Sequence, residues 1–183
     1  MTEQQLITKA KEGDHTAFEA LVKKYEPQIA STVVGMLGPC QAADDVGQEV
    51  FIRFYKSIDN FREGATLGTY LTRIAINLSL NEIKRRKRRR FFFSSDYEED
   101  SKELSFNPDE TILKTENQRL VHQMLQTLEP NFRSVIVLRL LKGYSTEETS
   151  KLLNIPLGTV LSRLSRAQKK LKEALVPYME EKV

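Results

Sequence analysis

The sequence predicts an all-α protein: two small helical domains joined by an acidic, flexible linker, the second domain being a helix-turn-helix. Three observations carry this. Apolar residues recur at three- and four-residue steps along almost every patterned stretch. No segment of useful length alternates as a strand does. Charge is partitioned along the chain, with 15 Lys/Arg against 11 Asp/Glu in residues 1–90, 1 against 7 in 91–110, and 12 against 7 in 111–183. Two basic blocks around an acidic segment suit two nucleic-acid-binding modules on a linker, and equally suit two solvated surfaces.

The first domain is expected over residues 1–93. Thr2 with Gln5 forms a capping box that opens a short helix, and Gly13 is its stop. Asp14 caps the next helix, whose inner residues are Phe18, Leu21, Val22 and Tyr25; Pro27 kinks or restarts it before Ile29, Val33 and Leu37. A third helix begins near Cys40 and buries Val46, Val50 and Phe54. After "SIDNFREGATLG" a long helix runs from about Thr69 into "KRRKRRR" (Lys84–Arg90), with Leu71, Ile74 and Leu78 inward. Arg73, Asn77, Asn81, Lys84 and Arg88 fall on the opposite face at steps of three or four. Alone, the basic run fits a DNA-binding arm, a membrane patch, a targeting signal or a helix end. Its register with this stripe makes it the end of an amphipathic helix, where positive charge also suits the helix dipole.

Residues 94–110 lose the period and read as the linker. The second domain, 111–183, follows "NPDE" (Asn107–Glu110), a helix start with an Asn cap and an early Pro. Further on, Gly143 ends a helix and "STEE" (Ser145–Glu148) is a capping box opening another, with Leu152 and Leu153 inward. "NIPLGT" turns the chain into a last helix, about Leu157–Leu175, with Val160, Leu164, Ala167, Leu171 and Leu175 inward. Thr159, Ser162, Arg163 and Arg166 lie on its outer face, and short polar and Arg side chains there suit base edges and phosphates in a major groove. A solvated face has the same pattern.

Composition excludes several classes. No apolar run approaches the roughly 18 residues of a membrane span, and "MTEQQLITKAKEGD" lacks a signal-peptide core. Cys40 is the single cysteine, so no intrachain disulfide forms and a reducing, cytoplasmic setting is expected. His15 and His122 are far apart, without metal-ligand spacing or a nucleophile partner. No phosphate-binding glycine loop follows a strand. A self-contained enzyme is therefore not expected, nor a metal or other cofactor.

Three stretches, "ADDVGQEVFIRFY" (43–55), "FREGATLGTYLTRIAINL" (61–78) and "GYSTEETSKLLNIPLGTVLSRLSRAQKKL" (143–171), together resemble bacterial sigma factors of the extracytoplasmic-function (ECF) group, in that family's order and spacing. The resemblance implies a non-catalytic specificity subunit of RNA polymerase. It implies that residues 1–93 dock on the clamp helices of the beta-prime subunit, recognise the minus-ten element and melt it. Residues 111–183 would read the minus-thirty-five element and contact the beta flap. An anti-sigma factor is the expected inhibitor, and promoter DNA, double-stranded and locally melted, the expected ligand.

Carried over residue by residue, Asp45, Gln48, Glu49 and Arg53 are the expected core-binding group. The first three form an acidic-polar patch at i, i+3 and i+4 that can pair with Arg-rich helices. Asn60, Phe61, Arg62, Gly64, Thr66, Thr69 and Tyr70 would hold an unstacked base, since a polar loop with glycines can wrap one. Arg73, Asn77, Asn81, Lys84 and Arg88 would track DNA beside it, although Asn77 equally fits a local hydrogen bond. Gly158, Thr159, Ser162, Arg163 and Arg166 would meet the minus-thirty-five duplex. Departures are visible: Tyr70 stands where the family has Trp, Leu67 and Gly68 where an aromatic and Arg are common, and Leu161 where a basic residue is common. Gly47 weakens its helix. Phe91–Phe93 suit packing at the helix end, with base stacking open. Two other readings fit parts of the pattern: a free-standing helix-turn-helix regulator, binding duplex tightly without polymerase, and a protein-interaction adaptor.

Overall fold

A computed structural model describes residues 1–61, 66–93 and 116–180, and every regular element among them is helical. Helix α1 (Glu3–Lys11) opens on the Thr2–Gln5 capping box, both hydrogen bonds present. Helix α2 (His15–Leu37) is capped by Asp14 Oδ1, which accepts from the Thr16 and Ala17 amides. Helix α3 (Gln41–Ser57) leads through a 3-10 turn at Ile58–Asn60 toward α4 (Leu67–Phe93). In the second half α5 (Glu116–Thr127), α6 (Pro130–Ile136), α7 (Thr146–Leu153) and α8 (Leu157–Glu180) follow, with a π-helical turn at Val137–Leu141 continuing α6.

Helix α2 runs unbroken through Pro27. Pro27 and Lys23, whose carbonyl loses its partner there, are both exposed, so the unmet carbonyl faces solvent and not the core. The same reasoning carries α8 through the exposed Pro177, beyond the expected end at Leu175. The basic run is helical to Phe93, as the stripe predicts, and α4 begins two residues before Thr69. Leu67 is 1% exposed, so its apolar side chain anchors the start of α4 in the core. A Cβ on Gly68 would stand 3.0 Å from the Tyr25 ring. The glycine lets α4 approach α2. The expected helix start at Asn107–Glu110 and the linker lie outside the described residues.

Helices α1–α4 close around Leu21, Ile29, Val33, Val50, Phe54, Leu71 and Ile76. Val137, Leu138 and Leu152 of the second half join this same cluster, while Leu125, Leu128, Ile136 and Ala167 form a second one. The two halves are thus seated on each other, chiefly with α2 against α5, α6 and the π turn, and α4 against α7.

Candidate functional site

Three surfaces carry the residues singled out from sequence. The first is the outer face of α3. Asp45 and Gln48 are exposed and Glu49 is half-buried. Asp45 accepts from Gln41 Nε2 at 3.2 Å, and Glu49 accepts from Arg53 Nε at 2.8 Å. Such an exposed i, i+4 pair adds a few tenths of a kcal/mol, so both groups are free to exchange partners. Ile52 and Tyr55, 46% and 43% exposed, continue the face one turn on. Sequence reasoning missed them, although 45, 48, 52 and 55 share helical spacing and neither residue falls on the Val46–Val50–Phe54 face.

The second surface lies along α4. Arg73, Asn77, Asn81, Lys84 and Arg88 are all exposed, while Leu71, Ala75, Ile76 and Leu78 of the same helix are buried. At the helix start Thr66 caps the Thr69 amide (3.2 Å), and their hydroxyls lie 2.9 Å apart. Tyr70 is held edge-on between Phe54 and Phe61, and its hydroxyl lies 3.1 Å from Ser57 Oγ. Phe61 is itself buried and braces Tyr70; its carbonyl accepts from Lys11 Nζ at 2.9 Å. Asn60 is exposed beside it. Arg62 and Gly64 lie outside the described residues. Between α3 and α4 opens a pocket of about 450 Å³ lined by Arg53, Lys56, Ser57, Tyr70, Ile74, Asn77 and Leu78. Arg53, assigned from sequence to the first surface, therefore also reaches the second. Lys56 was missed, though it follows Arg53 at i+3.

Glu82 organises the basic run. It is 9% exposed and accepts from Arg85 Nε (2.7 Å) and Nη2 (3.1 Å) and from Arg86 Nε (3.0 Å). Burial alone would raise its pKa, but the two guanidinium groups outweigh that and hold it below the usual carboxylate value. Arg86 Nη2 also points at Cys40 Sγ, 3.4 Å away. Two of the seven cations are thus paired with Glu82, Arg86 half-buried and Arg85 still exposed, while Lys84, Lys87, Arg88, Arg89 and Arg90 also stand in solvent. Phe91 and Phe92 are 78% and 72% exposed and meet edge to face.

The third surface is α8. Ser145 and Glu148 complete the capping box of α7, Asn154 takes the left-handed conformation (φ 52°), and Ser150 Oγ donates to the Ile155 carbonyl at 2.6 Å. These contacts set the short turn that launches α8. Gly158, Ser162 and Arg166 are exposed, and Thr159 and Arg163 are half-buried. Leu157 and Leu161 are 43% and 49% exposed among them, which gives the polar face an apolar strip. Val160 and Ala167 are fully buried beneath.

No group of three or more His, Cys, Asp or Glu suited to a metal occurs among the described residues, and none of their helices is long and apolar enough to cross a membrane.

Residues 21–89 match Sigma-70 region 2, and residues 118–171 match Sigma-70 region 4. The RNA polymerase sigma-H factor of Pseudomonas aeruginosa is 35% identical over 98% of this chain and 96% of its own length. The ECF RNA polymerase sigma-E factor of Escherichia coli K12 is 34% identical over 98% and 97%. In fold the chain resembles CnrH, solved in complex with the cytosolic domain of CnrY, with TM-score 0.69, 23% identity, and 96% of this chain and 97% of that one covered. It also resembles the sigma factor RpoE of Bartonella quintana, solved with the anti-sigma factor NepR, with TM-score 0.70, 22% identity, and 86% and 96% covered. With both sigma-70 regions present in order and relatives matched over nearly their whole length, the chain belongs to the ECF group of RNA polymerase sigma factors, which direct initiation to specific promoters.

Proposed function

We propose a division of labour in which residues 1–93 dock on core polymerase and open the minus-ten element, and residues 111–183 read the minus-thirty-five duplex, with residues 94–110 linking them. The reading rests above all on one observation: every polar member of the α4 stripe is exposed while the same helix supplies the domain core. A rigid helix so divided holds its cations at fixed spacing along a phosphate track.

In this reading α3 meets the clamp helices through Asp45, Gln48 and Glu49, with Ile52 as an apolar anchor one turn beyond the charged patch. An unstacked base enters the pocket beside Tyr70, with Asn77 offering its amide and Arg53 and Lys56 neutralising the adjoining phosphate. Asn60, Thr66 and Thr69 border its entrance. On α8, Ser162, Arg163 and Arg166 take base edges and phosphates, Gly158 and Thr159 sit at the helix start close to the backbone, and Leu161 offers the apolar contact that suits a thymine methyl group. The subunit has no chemistry of its own and works in the cytoplasm. It is held by an anti-sigma factor, as its structural neighbour is captured with one.

The test is titration of the full chain with sigma-free core polymerase, beside promoter and random duplex. Tight core binding, weak duplex binding and loss of the first on Asp45→Lys/Glu49→Lys support the proposal. Tight duplex binding without affinity for core would instead make the chain a free-standing regulator.

A further inference from the structure

The far end of α4 stands clear of the protein body. Directly after Arg86, which still reaches Glu82 and Cys40, every side chain from Lys87 to Phe92 is exposed. Counted from Lys84, the residues Lys87, Arg88, Phe91 and Phe92 fall at i+3, i+4, i+7 and i+8, so they share one face of the helix with it. Arg73, Asn77 and Asn81 lie on the same face further back. At about 1.5 Å per residue, the stripe passes from cations to phenylalanine rings within about 12 Å. The rings are 78% and 72% exposed and meet edge to face, with centroids 5.9 Å apart. Glu82, the one carboxylate of α4, is 9% exposed and already engaged by Arg85 and Arg86, so it leaves the outer stripe positive.

We infer that this end of α4 is a docking face for the surface of an anionic phospholipid bilayer, with Lys84, Lys87 and Arg88 on headgroup phosphates and the Phe91 and Phe92 rings in the interface beneath them. The two parts of the stripe ask for different properties in a partner. Cations alone are served by any polyanion. Adjacent phenylalanines gain by leaving water, and a duplex phosphate backbone offers them no apolar phase. Sites for single-stranded nucleic acid combine a basic groove with rings placed to stack on successive bases. Here the ring planes meet at 83°, on a projecting helix end. A bilayer surface supplies both needs side by side, anionic phosphates outside and hydrocarbon below. A Lys/Arg cluster and an apolar anchor are the two signals that together hold a peripheral protein there. Long basic side chains keep their charge at the headgroups while the rings sink. The chain thus lies on the membrane without crossing it. The seven Lys/Arg of 84–90 and the four acids at 96, 98, 99 and 100 leave residues 84–100 at +3, so docking is reversible and weakens with salt. Docking does not depend on the promoter reading of the stripe; where the stripe also tracks DNA, lipid and promoter compete for it.

The chain contains no tryptophan, so Phe91→Trp places a single fluorescent reporter on the face. The probe is vesicles of phosphatidylethanolamine and phosphatidylglycerol, beside vesicles of phosphatidylcholine alone. The full chain should float with the anionic vesicles and not with the neutral ones, and the tryptophan emission should shift to the blue. Phe91→Ser/Phe92→Ser should weaken vesicle binding about tenfold, the share of two partly buried rings. Lys84→Gln/Lys87→Gln/Arg88→Gln should weaken it at least as much. All five side chains are exposed, and circular dichroism at 222 nm checks that the variants stay folded. A parent chain that does not float with anionic vesicles, an unshifted emission, or a serine variant that floats as well as the parent overturns the docking face. A serine variant that keeps its vesicle affinity but loses affinity for an oligothymidylate would make the rings a base-stacking platform, and the inference falls.

Discussion

Replacing Arg133 should be among the most damaging single changes outside the apolar core. Its guanidinium closes the ends of two helices at once. Nη1 donates to the Met36 carbonyl near the end of α2 and to Gln126 Oε1 (2.6 Å), and Nη2 donates to the Gln126 (3.0 Å) and Leu128 (2.9 Å) carbonyls around the end of α5. Carbonyls in the last turn of a helix lack intrahelical partners, and that end carries partial negative charge. Burial lowers the Arg133 pKa to about 10, still far above neutrality, so the group stays charged. Arg133→Met keeps much of the volume but strands the acceptors, each worth roughly 1–3 kcal/mol when left without a donor. Relief from burying a cation offsets part of this, and the contributions are not additive. The expected loss is about 3 kcal/mol, or ~1.5 M in urea midpoint for a slope near ~2 kcal/mol/M. Arg133→Lys should restore less than half, because one ammonium cannot serve both helix ends. Urea unfolding followed by circular dichroism at 222 nm measures both. Losses under ~1 kcal/mol for both variants would refute the double-cap reasoning.

Gly47→Ala should stabilise the chain by about 0.5–1 kcal/mol, because Gly47 lies inside α3 and a Cβ there meets nothing within 4 Å; thermal unfolding checks it. Lys84→Gln with Arg88→Gln should lower the slope of log affinity against log salt for holoenzyme on promoter DNA by roughly 1.4–1.8, the share of two phosphate contacts. Burial depresses the His122 pKa below its ordinary 6.5, so the unfolded chain takes the proton first. Its contribution is therefore intact above that value and lost on acidification, at no more than ~1.4 kcal/mol per pH unit, and His122→Gln should flatten that part of the stability profile. On the reading helix, replacing thymine by uracil in the minus-thirty-five element should weaken holoenzyme binding at one position, an effect that Leu161→Ala abolishes; equal sensitivity in both proteins would remove Leu161 from base reading.

What could be read from the sequence was what is decided within one or two helical turns. The capping boxes at Thr2 and Ser145 and the Asp14 cap involve residues three apart or fewer, and all three form. The α4 stripe was legible for the same reason, a register continuing straight into the basic run. Arg133 was not: in "PNFRSVIV" it looks like an ordinary first-turn arginine, and its burial depends on a carbonyl 97 positions earlier. Phe61 and Tyr70 were read as base-facing, but their mutual packing with Phe54 appears only once α3 and α4 cross. Of the two outcomes expected at Pro27, a kink or a restart, the continuous α2 excludes the restart; the proline rule concerns one hydrogen bond, and whether solvent can replace that bond depends on which face the fold leaves outside. Ile52 was passed over, and Leu161 was read only as the place of a missing basic residue, because exposed apolar residues carry no signal until the buried faces of their helices are known.

The π turn at Val137–Leu141, closed by the Lys142 amide on the Val137 carbonyl at 2.9 Å, has a consequence for length variation. It holds one residue more than an α turn would, as a helix does when it absorbs an insertion. Deleting a single residue there would turn the chain beyond it by about 100°, the angle per residue at 3.6 per turn. Tyr144 would swing away from Thr72, and the bearing of α7 and α8 on the first domain would change while each helix stayed intact. The spare residue thus acts as an adjustable joint, by which chains of this kind could re-aim α8 without altering any residue on it.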